Sequence, residues 1–364
     1  HLTYVPFIGS AGELKTKPTQ HSVKTLMEYG IRPEILLCRT TLRLTKDVKA
    51  KIGLFCNVEA EAVIEALDVE TTIYEVPILY AKNKVDDIII RKMRLPETEL
   101  ELDTWSKFVH RIKKPRFEVT VAIVGKYTEY QDSYKSIIEA FIHAGSVNNT
   151  RVNVKLINSE DITRENVAEM LEGLDGVLVG PGFGKRGIEG KINAIEHIRK
   201  NNIPFFGICL GLQCAIIEYA RNVCGLEKAN SYEFDEESPY LVIDLMDEQK
   251  KIKDKGGTMR LGAWPCKIAR NSLTFKAYNV EEISERHRHR YEVSNKYRPI
   301  LEEKGMKMSG LSPDGKLVEI IELPGHSWFL GTQFHPELKS RAVIGHPLFV
   351  SFIAAALQKR TENK

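Results

Sequence analysis

The sequence has few cysteines, and their arrangement excludes two common kinds of site. Six cysteines occur in 364 residues, and no two of them form a CxxC pair. Cysteines this far apart, mostly in apolar runs, indicate neither a zinc site nor a disulfide framework. Their positions are Cys38, Cys56, Cys209, Cys214, Cys224 and Cys266. We therefore expect a reducing compartment, and a cytoplasmic location fits best.

The sequence also lacks long apolar runs and an excess of charge of either sign. No run approaches the roughly 20 apolar residues that cross a bilayer. Lys and Arg number 52 against 49 Asp and Glu, for a formal net charge of +3. So close a balance gives no general attraction to nucleic acid or to a membrane surface. We expect neither as a partner, and any anionic ligand must be recognised locally.

The chain is long enough for two domains. Its length exceeds the roughly 100 to 200 residues of one typical domain. In the first part, apolar runs such as the strand EILLCRT alternate with stretches such as EAEAVIEAL, which we predict to be helical. The basic, Pro-containing segment KKPRF is a plausible linker, so we predict domains at 1–116 and 117–364. The opening HLTYVPFIGS is typical of the middle of a domain, and we expect further sequence upstream.

The second domain is predicted to be α/β with a doubly wound parallel sheet, as in flavodoxin-like folds. VTVAIVGKY has the continuous apolar character of a buried parallel strand, and helices and strands alternate after it. From Tyr240 the pattern changes to hairpin strands, namely YLVIDLM, TMRLGAWPCKI and LTFKAY. A further pair is joined at a turn through Pro313, Asp314 and Gly315. The final helix, PLFVSFIAAALQ, should pack on the sheet.

The stretch IPFFGICLGLQCAIIEYA places Cys209 between an apolar strand and an apolar helix. Gly207 and Gly211 lie two residues away on either side, the pattern of a nucleophile elbow. Such a turn exposes its central side chain at the sheet edge, and the helix N-terminus favours a thiolate. The Leu210 N–H is then available to an oxyanion. An arbitrary free cysteine is more often part of the core, as we expect for Cys214.

A cysteine nucleophile needs a base and a group that orients the base, and the motif TQFHPE offers both. His335 and Glu337 are two residues apart, and in an extended segment such residues share a side. Glu337 could therefore hold the imidazole. His335 lies far from Cys209 in the sequence, so the fold must bring the two residues together.

The cysteine elbow followed by His-Pro-Glu resembles the class I glutamine amidotransferase family over roughly Val119 to Gln358. The resemblance implies a nucleophile, a base and an orienting acid at Cys209, His335 and Glu337. The loop PGFGKRG resembles the family's oxyanion loop, although without the family it is simply a flexible glycine turn. Many relatives have glycine where this chain has Pro181, which lacks an N–H. The oxyanion donors would then be Gly182 and Leu210.

Further motifs resemble one branch of that family, the CTP synthases. In ERHRHRYEV, strand alternation would put the arginines on one side and the histidines on the other, and an RNA-binding patch is the alternative interpretation. The resemblance implies that Arg290 binds the glutamine carboxylate and Glu233 its amino group. It implies a glutamine pocket formed by Gly182, Leu210, Gly211, Leu212, Gln213, Glu233 and Arg290. GGTMRLG belongs to the same pattern without a chemical role that we can assign.

Upstream, AGELKTKPTQHSV resembles the CTP synthase segment that binds the pyrimidine nucleotide triphosphate, although such a KTK segment is usually a solvated loop. Lysines and hydroxyls offer charge and donors to a triphosphate. The resemblance implies UTP or CTP contacts at Lys15, Thr16, Lys17, Pro18, Thr19, Gln20 and Lys51. It implies an ATP contact at Val69. Residues 1–116 would then be the C-terminal part of a P-loop-type α/β synthetase (amidoligase) domain.

The family resemblance implies ATP-dependent amination of UTP to CTP with ammonia from glutamine. It also implies Mg²⁺ and ATP as cofactors, CTP as feedback inhibitor, GTP as allosteric activator, and a homodimer or homotetramer. GTP could bind near Lys126, Lys185 and Arg186. No GxxxxGK[ST] motif and none of the family's magnesium-binding acids occur in this chain, so we expect it to perform only the glutaminase half and to hold no metal.

Two alternatives remain open from the sequence. A γ-glutamyl hydrolase or another triad amidotransferase would share the elbow, but the KTKPTQ segment argues against it. A catalytically silent fragment that serves assembly or filament formation would keep the fold without the chemistry. The complete set of Cys209, His335 and Glu337 argues against that second alternative.

Overall fold

The computed structural model describes residues 1–245 and 259–362, which fall into two compact units. One unit covers His1–Lys113 and the other covers Lys114–Lys364. The division falls within the KKPRF segment that we interpreted as a linker.

The first unit is a small α/β unit. Its strands are β1 (Leu2–Tyr4), β2 (Phe7–Ile8), β3 (Glu13–Leu14), β4 (Leu36–Thr40) and β5 (Val63–Leu67). Its helices are α1 (Lys17–Glu28), α2 (Lys46–Cys56), α3 (Val76–Lys82), α4 (Val85–Met93) and α5 (Asp103–Lys113). Strands β1, β4 and β5 form a parallel sheet in that order, and β2 pairs antiparallel with β3.

The prediction of a helix over EAEAVIEAL is wrong. A short 3₁₀ turn at Ala60–Ala62 leads into β5, which pairs in parallel with β4. Val63 and Ile64 are almost fully buried in the core of this unit. β-branched side chains suit a buried strand, and here tertiary packing outweighs the helix propensity of the surrounding Ala and Glu.

The second unit is built around one large sheet. Its strands are β6 (Phe117–Gly125), β7 (Thr150–Asn158), β8 (Gly176–Val179), β9 (Phe205–Ile208), β10 (Ala229–Ser231), β11 (Tyr240–Asp244), β12 (Arg260–Ile268), β13 (Glu282–His289), β14 (Glu292–Val293), β15 (Lys307–Leu311), β16 (Val318–Glu322) and β17 (Phe329–Thr332). Its helices are α6 (Lys135–Val147), α7 (Val167–Met170), α8 (Ile188–Lys200), α9 (Leu210–Asn222), α10 (Leu273–Tyr278), α11 (Arg298–Glu303) and α12 (Pro347–Glu362).

Nine strands of the described residues form this sheet, in the order β13-β12-β15-β16-β17-β9-β8-β6-β7. The pairs from β17 through β9, β8 and β6 to β7 are parallel. The remaining strands, β16 to β13, pair antiparallel. The class is α/β as predicted, and the parallel part that carries the elbow continues into the predicted hairpins, including the β15–β16 pair.

The parallel strands are buried on both faces, which explains their continuous apolar character. Along β6, Val121 and Ile123 belong to the cluster that includes α6 and α12, whereas Ala122 and Val124 belong to the cluster that includes α8 and α9. Side chains that alternate between two apolar layers cannot be polar on either side. The final helix α12 packs on β6 and β8, as predicted.

Two predicted hairpin strands have different partners or structure. LTFKAY is helix α10 rather than a strand, because Ser272 caps it by accepting from the Phe275 N–H at 2.9 Å. Its first N–H groups, at Leu273 and Thr274, donate to the distant Glu322 carboxylate. YLVIDLM contains β11, which pairs in parallel with β10 and antiparallel with β14 rather than in a hairpin with β12.

Candidate active site

Cys209 lies at the turn between β9 and α9, and its backbone is strained. Its φ of +53° and ψ of −100° fall where L-residues are rare. Its N–H donates to the Thr332 carbonyl at 2.7 Å, which ties the turn to β17. A Cβ atom on Gly207 would lie 2.8 Å from the Gly211 carbonyl carbon, and one on Gly211 would lie 2.1 Å from the Val179 oxygen. Only glycine fits at either position.

The Cys209 sulfur is enclosed, whereas the elbow pattern predicted an exposed side chain. The residue is only 3% exposed and borders the apolar cluster that includes α6 and α12. Two polar groups nevertheless face the sulfur. The Arg288 carbonyl oxygen lies 3.9 Å from Sγ, and the Gln333 Nε2 lies 3.8 Å from it. Polar surroundings allow a sulfur to carry charge more readily than aliphatic ones do.

His335 and Glu337 form a buried pair next to this sulfur. Nδ1 of His335 and Oε1 of Glu337 are 2.7 Å apart. Burial lowers the pKa of His335, but hydrogen bonding and charge interaction with Cys209, and then with Glu337, outweigh burial and leave this pKa raised. The second ring nitrogen, Nε2, is buried, and apart from its interaction with Cys209 it has no hydrogen-bond partner among the described residues. It is therefore the nitrogen that can exchange a proton with the sulfur or a ligand.

The segment that holds this pair is not the extended segment that we predicted. Pro336–Lys339 forms a 3₁₀ turn, and His335 precedes it with a φ of −107° and a ψ of 84°. The predicted pairing of the two side chains occurs, but through a tight turn rather than through strand alternation. The His335 N–H donates to the Arg286 carbonyl at 2.8 Å, which fixes the turn against β13.

The PGFGKRG loop passes directly over the start of α9. A Cβ atom on Gly182 would lie 3.3 Å from Cδ2 of Leu210, so the two predicted oxyanion donors are neighbours. Lys126 is buried, and its Nζ donates to the carbonyls of Phe183, at 2.6 Å, and Gly184. Burial lowers the pKa of this lysine. The two hydrogen bonds of the Lys126 Nζ fix the loop on its buried side.

A second buried lysine holds the beginning of the same loop. Lys191 in α8 is fully buried, and its Nζ donates to the Gly180 carbonyl at 2.7 Å. Burial lowers its pKa to about 8, against the opposing influence of Cys214 and Cys209. Cys214 is itself fully buried, as expected of a core residue, and burial raises its pKa to about 11.

Three charged residues of the predicted glutamine and GTP sites meet near this loop. Oε1 of Glu233 accepts from the Gly184 N–H at 2.6 Å. Burial raises the pKa of Glu233, and the Gly184 bond, Lys126 and Arg290 oppose that rise. Glu233, Lys126 and Arg290 are therefore close enough to interact electrostatically. A carboxylate and two cations arranged in this way suit a zwitterionic ligand.

The residues predicted near GTP differ in their exposure. Lys126 is buried as described above, whereas Lys185 and Arg186 are exposed. Arg186 pairs with Glu160 at 2.9 Å, and its guanidinium lies 5.7 Å from the centre of the Tyr127 ring. Of these three residues, Lys185 and Arg186 present their charge on the surface.

Strand β13 shows the predicted alternation of the RHRHR motif. His287 and His289 are buried, whereas Arg286 and Arg288 are exposed. The strand ends at His289, so Arg290 follows it. The remaining predicted pocket residues, Gly211, Leu212 and Gln213, lie in the first turn of α9, where the Gln213 Nε2 donates to the Tyr291 carbonyl at 3.1 Å.

A buried charge cluster that the sequence did not predict is formed by Arg260, His287, Glu292 and Glu319. Arg260 pairs with Glu319 at 2.7 Å and with Glu292 at 3.5 Å. Glu319 also meets the His287 Nε2 at 2.7 Å. Arg260 belongs to the GGTMRLG motif, whose first three residues lie outside the described residues. The position of Arg260 inside a β-rich run could have indicated this cluster, since an arginine buried in a sheet needs a carboxylate partner.

In the first unit, the predicted nucleotide contacts from Lys15 to Gln20 lie around the start of α1, whereas Lys51 lies in α2 and Val69 follows β5. Pro18 stands at the beginning of α1, and Lys17 and Lys51 are exposed. Lys15 pairs with Glu13. Thr16 and Thr19 are buried, which differs from the expectation that their hydroxyls face a ligand, because both hydroxyls bond within the unit. Gln20 and Val69 are partly buried.

No group of three or more His, Cys, Asp or Glu side chains within residues 1–245 and 259–362 could hold a metal ion. In the same part of the chain, no helix is both long and apolar enough to cross a membrane.

Known proteins resemble this chain along nearly its whole length. Residues 1–95 match the family model "CTP synthase N-terminus", and residues 129–355 match "Glutamine amidotransferase class-I". The CTP synthase of Flavobacterium johnsoniae is 56% identical over 358 residues, which cover 98% of this chain and 66% of that protein. The CTP synthase of Flavobacterium psychrophilum is 54% identical over 363 residues, which cover 100% of this chain and 67% of that protein. The chain thus spans about two thirds of the length of these curated relatives.

Among solved structures, the glutaminase domain of Trypanosoma brucei CTPS with bound acivicin matches the second unit's fold. It is 38% identical, has a TM-score of 0.62, and covers 66% of this chain and 94% of that one.

Proposed function

Because the chain belongs to the CTP synthase family, we propose that its larger unit hydrolyses glutamine to glutamate and ammonia at Cys209. One observation carries this proposal. A cysteine held at a strained strand-to-helix turn lies beside a buried His335–Glu337 pair whose Nε2 has no other partner among the described residues. This is the arrangement of an activated nucleophile, a base and an orienting acid.

The raised pKa of His335 indicates how the pair begins the reaction. A proton shared between the thiol and the imidazole rests on the imidazole when the thiolate and Glu337 both stabilise the cation. The thiolate then attacks the carboxamide carbon of glutamine. The carbonyl oxygen of the tetrahedral intermediate becomes an anion, which the N–H groups of Leu210 and Gly182 would stabilise. Leu210 is the first residue of α9, so its N–H has no acceptor within the helix.

His335 would next give its proton to the leaving nitrogen. Ammonia departs, and a thioester joins the side-chain carbonyl carbon (Cδ) of the glutamyl group to the Cys209 sulfur. A water molecule, deprotonated by the now neutral His335, attacks this thioester and releases glutamate, and the sulfur leaves as a thiolate. The sum is glutamine plus water giving glutamate plus ammonia, with the enzyme restored.

The glutamine substrate would be held by its charged end. The Arg290 guanidinium suits the α-carboxylate, and Glu233 suits the α-ammonium group. Glu233 already accepts from the Gly184 N–H, but a carboxylate has further acceptor positions. Gly182 and the first turn of α9, Leu210 to Gln213, would line the remainder of the pocket.

For the full-length protein we propose the CTP synthase reaction, in which ATP activates UTP and the ammonia from Cys209 replaces the activated oxygen. The exposed Lys17 and Lys51, together with Lys15, Thr16, Pro18, Thr19 and Gln20, would contribute to the UTP or CTP site, and Val69 to the ATP site. The start of α1 supports this assignment, since a helix N-terminus with nearby lysines attracts phosphate. CTP as inhibitor, GTP as activator near Lys185 and Arg186, and assembly into dimers or tetramers belong to the same proposal.

Glutamate release tests the central proposal. The chain is incubated with glutamine, and glutamate is measured enzymatically, with Cys209→Ala as the inactive control and Cys214→Ala as a matched cysteine control. We expect release from the parent chain and from Cys214→Ala, and none from Cys209→Ala. Folded protein that releases no glutamate, with and without GTP, would favour the silent assembly fragment instead.

A further inference from the structure

The amide of Gln333 has an orientation that its neighbours determine. The Tyr291 carbonyl can only accept a hydrogen bond, so the Gln213 side-chain atom 3.1 Å from it must be the NH₂ group. The same Gln213 nitrogen lies 3.3 Å from the Gln333 side chain, and the group that meets it there must be the oxygen. The NH₂ group of Gln333 therefore faces the Cys209 sulfur at 3.8 Å.

From this geometry we propose that Gln333 is a further catalytic residue, which donates a hydrogen bond to the Cys209 thiolate. The proposal deepens the proposed glutaminase function and rests on it. A contact of 3.8 Å is long for oxygen but suits sulfur, whose radius is larger. Gln333 is fully buried and Gln213 is 3% exposed, so water hardly competes for these amides.

The backbone holds the amide and the sulfur at a fixed separation. The Cys209 N–H bonds to the carbonyl of Thr332, the residue immediately before Gln333. The Gln333 N–H in turn donates to the Glu319 carbonyl at 2.8 Å. The donor is thus positioned before any substrate arrives, and no reorganisation is needed when the thiolate forms.

The two polar neighbours of the sulfur favour opposite protonation states. The Arg288 carbonyl oxygen, 3.9 Å away, can accept from a thiol but repels a thiolate. The Gln333 NH₂ group favours the thiolate, because a hydrogen bond to a charged acceptor is stronger than one to a neutral acceptor. Of these two groups, only the amide favours the thiolate. Gln333 therefore adds to the stabilisation that a thiolate at Cys209 receives from His335.

The rate of Cys209 alkylation by iodoacetamide, followed peptide by peptide by mass spectrometry from pH 5 to 9, tests this role. Only the thiolate reacts, so the midpoint of the pH profile reports its formation. We expect the midpoint to rise by about one pH unit in Gln333→Leu, a shift typical of losing one donor to a charged group. In Gln333→Glu, the midpoint should rise further, because a carboxylate beside the sulfur repels the thiolate. Gln213→Leu removes only the orienting contact and should give a smaller rise.

Glutaminase kcat/KM at pH 7 should fall about tenfold in Gln333→Leu and recover as the pH rises, because the thiolate then forms without the amide. A simple packing defect would lower the rate equally at every pH. Gln358→Leu, at an exposed glutamine of α12, is the matched control and should leave both profiles unchanged.

An unchanged alkylation midpoint in folded Gln333→Leu and Gln333→Glu would overturn the proposal. The alkylation assay does not require glutamine. A shifted midpoint in protein that releases no glutamate would therefore reject the glutaminase while retaining the contact between Gln333 and the sulfur.

Discussion

Gly211 illustrates how a single missing side chain makes the elbow possible. The position has no room for a methyl group, because the Val179 carbonyl oxygen would lie 2.1 Å from it. That oxygen belongs to β8 in the centre of the parallel sheet and cannot move without breaking the ladder.

We expect Gly211→Ala to lower the free energy of unfolding of the second unit by at least about 3 kcal/mol, the upper part of the range for overpacking. Gly173→Ala is the matched control. Gly173 has a φ of +69° with no atom within 4 Å of the added Cβ, so only the backbone conformation is penalised, by about 1 kcal/mol. Urea unfolding monitored by circular dichroism compares the two. Equal losses would mean that the contact with Val179 relaxes without cost.

The imidazole of His335 provides a second prediction at this scale. Its pKa is raised because Cys209 and Glu337 outweigh burial. In the double variant Cys209→Ala, Glu337→Gln only burial remains, so the pKa should fall below the ordinary value of about 6.5. At pH 8 the imidazole should therefore be protonated in the parent protein and neutral in the variant. NMR titration of labelled histidine, assigned with His335→Gln, measures this, and a pKa that stays raised in the double variant would contradict the assignment.

These side chains differ in how far the sequence could predict them. Cys209, His335 and Glu337 stand in local motifs, and flanking glycines or a two-residue spacing carry the signal. The Gln333 contact depends on three segments meeting: the start of α9 with Cys209 and Gln213, the segment of Tyr291, and the segment of Gln333. Such a meeting leaves no local pattern, because nothing within TQF distinguishes a glutamine that faces a sulfur from one that faces solvent.

At the scale of elements, long apolar segments were predictable and short mixed ones were not. The parallel strands β6, β8 and β9 are buried on both faces, and this burial imposes an apolar sequence. The segment LTFKAY is too short for a periodic pattern to separate a strand from a helix. It is helical because Ser272 caps its first turn and because the Glu322 carboxylate on β16 accepts from the N–H groups of Leu273 and Thr274. A cap supplied from so far along the chain is invisible to local reasoning.

The charge cluster joining β12, β13, β14 and β16 makes the stability of the second unit depend on pH. Burial, and then the charge of Glu319, raises the pKa of Glu292 to about 8 from its ordinary value of 4.5. A carboxyl group whose pKa is raised on folding contributes stability below its unfolded pKa. That contribution is lost as the pH rises through the folded pKa.

Between pH 5.5 and 8 the unfolding free energy of the parent chain should therefore fall by about 3 kcal/mol relative to Glu292→Gln, which cannot ionise. Urea unfolding at several pH values measures the difference between the two proteins. Glu303→Gln, a change at an exposed position, is the control. Its unfolding free energy should change with pH as that of the parent does. A constant difference between parent and Glu292→Gln would mean that Glu292 is already ionised at pH 5.5, held so by Arg260.

At the scale of the whole molecule, each of the two units has a buried apolar core of its own. Ile52 in α2 is fully buried in the core of the first unit, and Ile216 in α9 is fully buried in the second. The two positions are therefore equivalent in chemistry and burial. Replacing either isoleucine by alanine leaves a cavity whose cost is about 2 to 5 kcal/mol.

We expect Ile52→Ala to lower amide hydrogen-exchange protection in residues 1–113 while leaving glutamate release intact. Ile216→Ala should lower protection in the second unit and, because α9 carries the first turn beside Cys209, reduce glutamate release as well. Hydrogen-exchange mass spectrometry resolves the effects by peptide, so the two variants serve as controls for each other. Loss of protection in both units from either substitution would show that the chain unfolds as one cooperative body, and the stability of the second unit would then depend on the first.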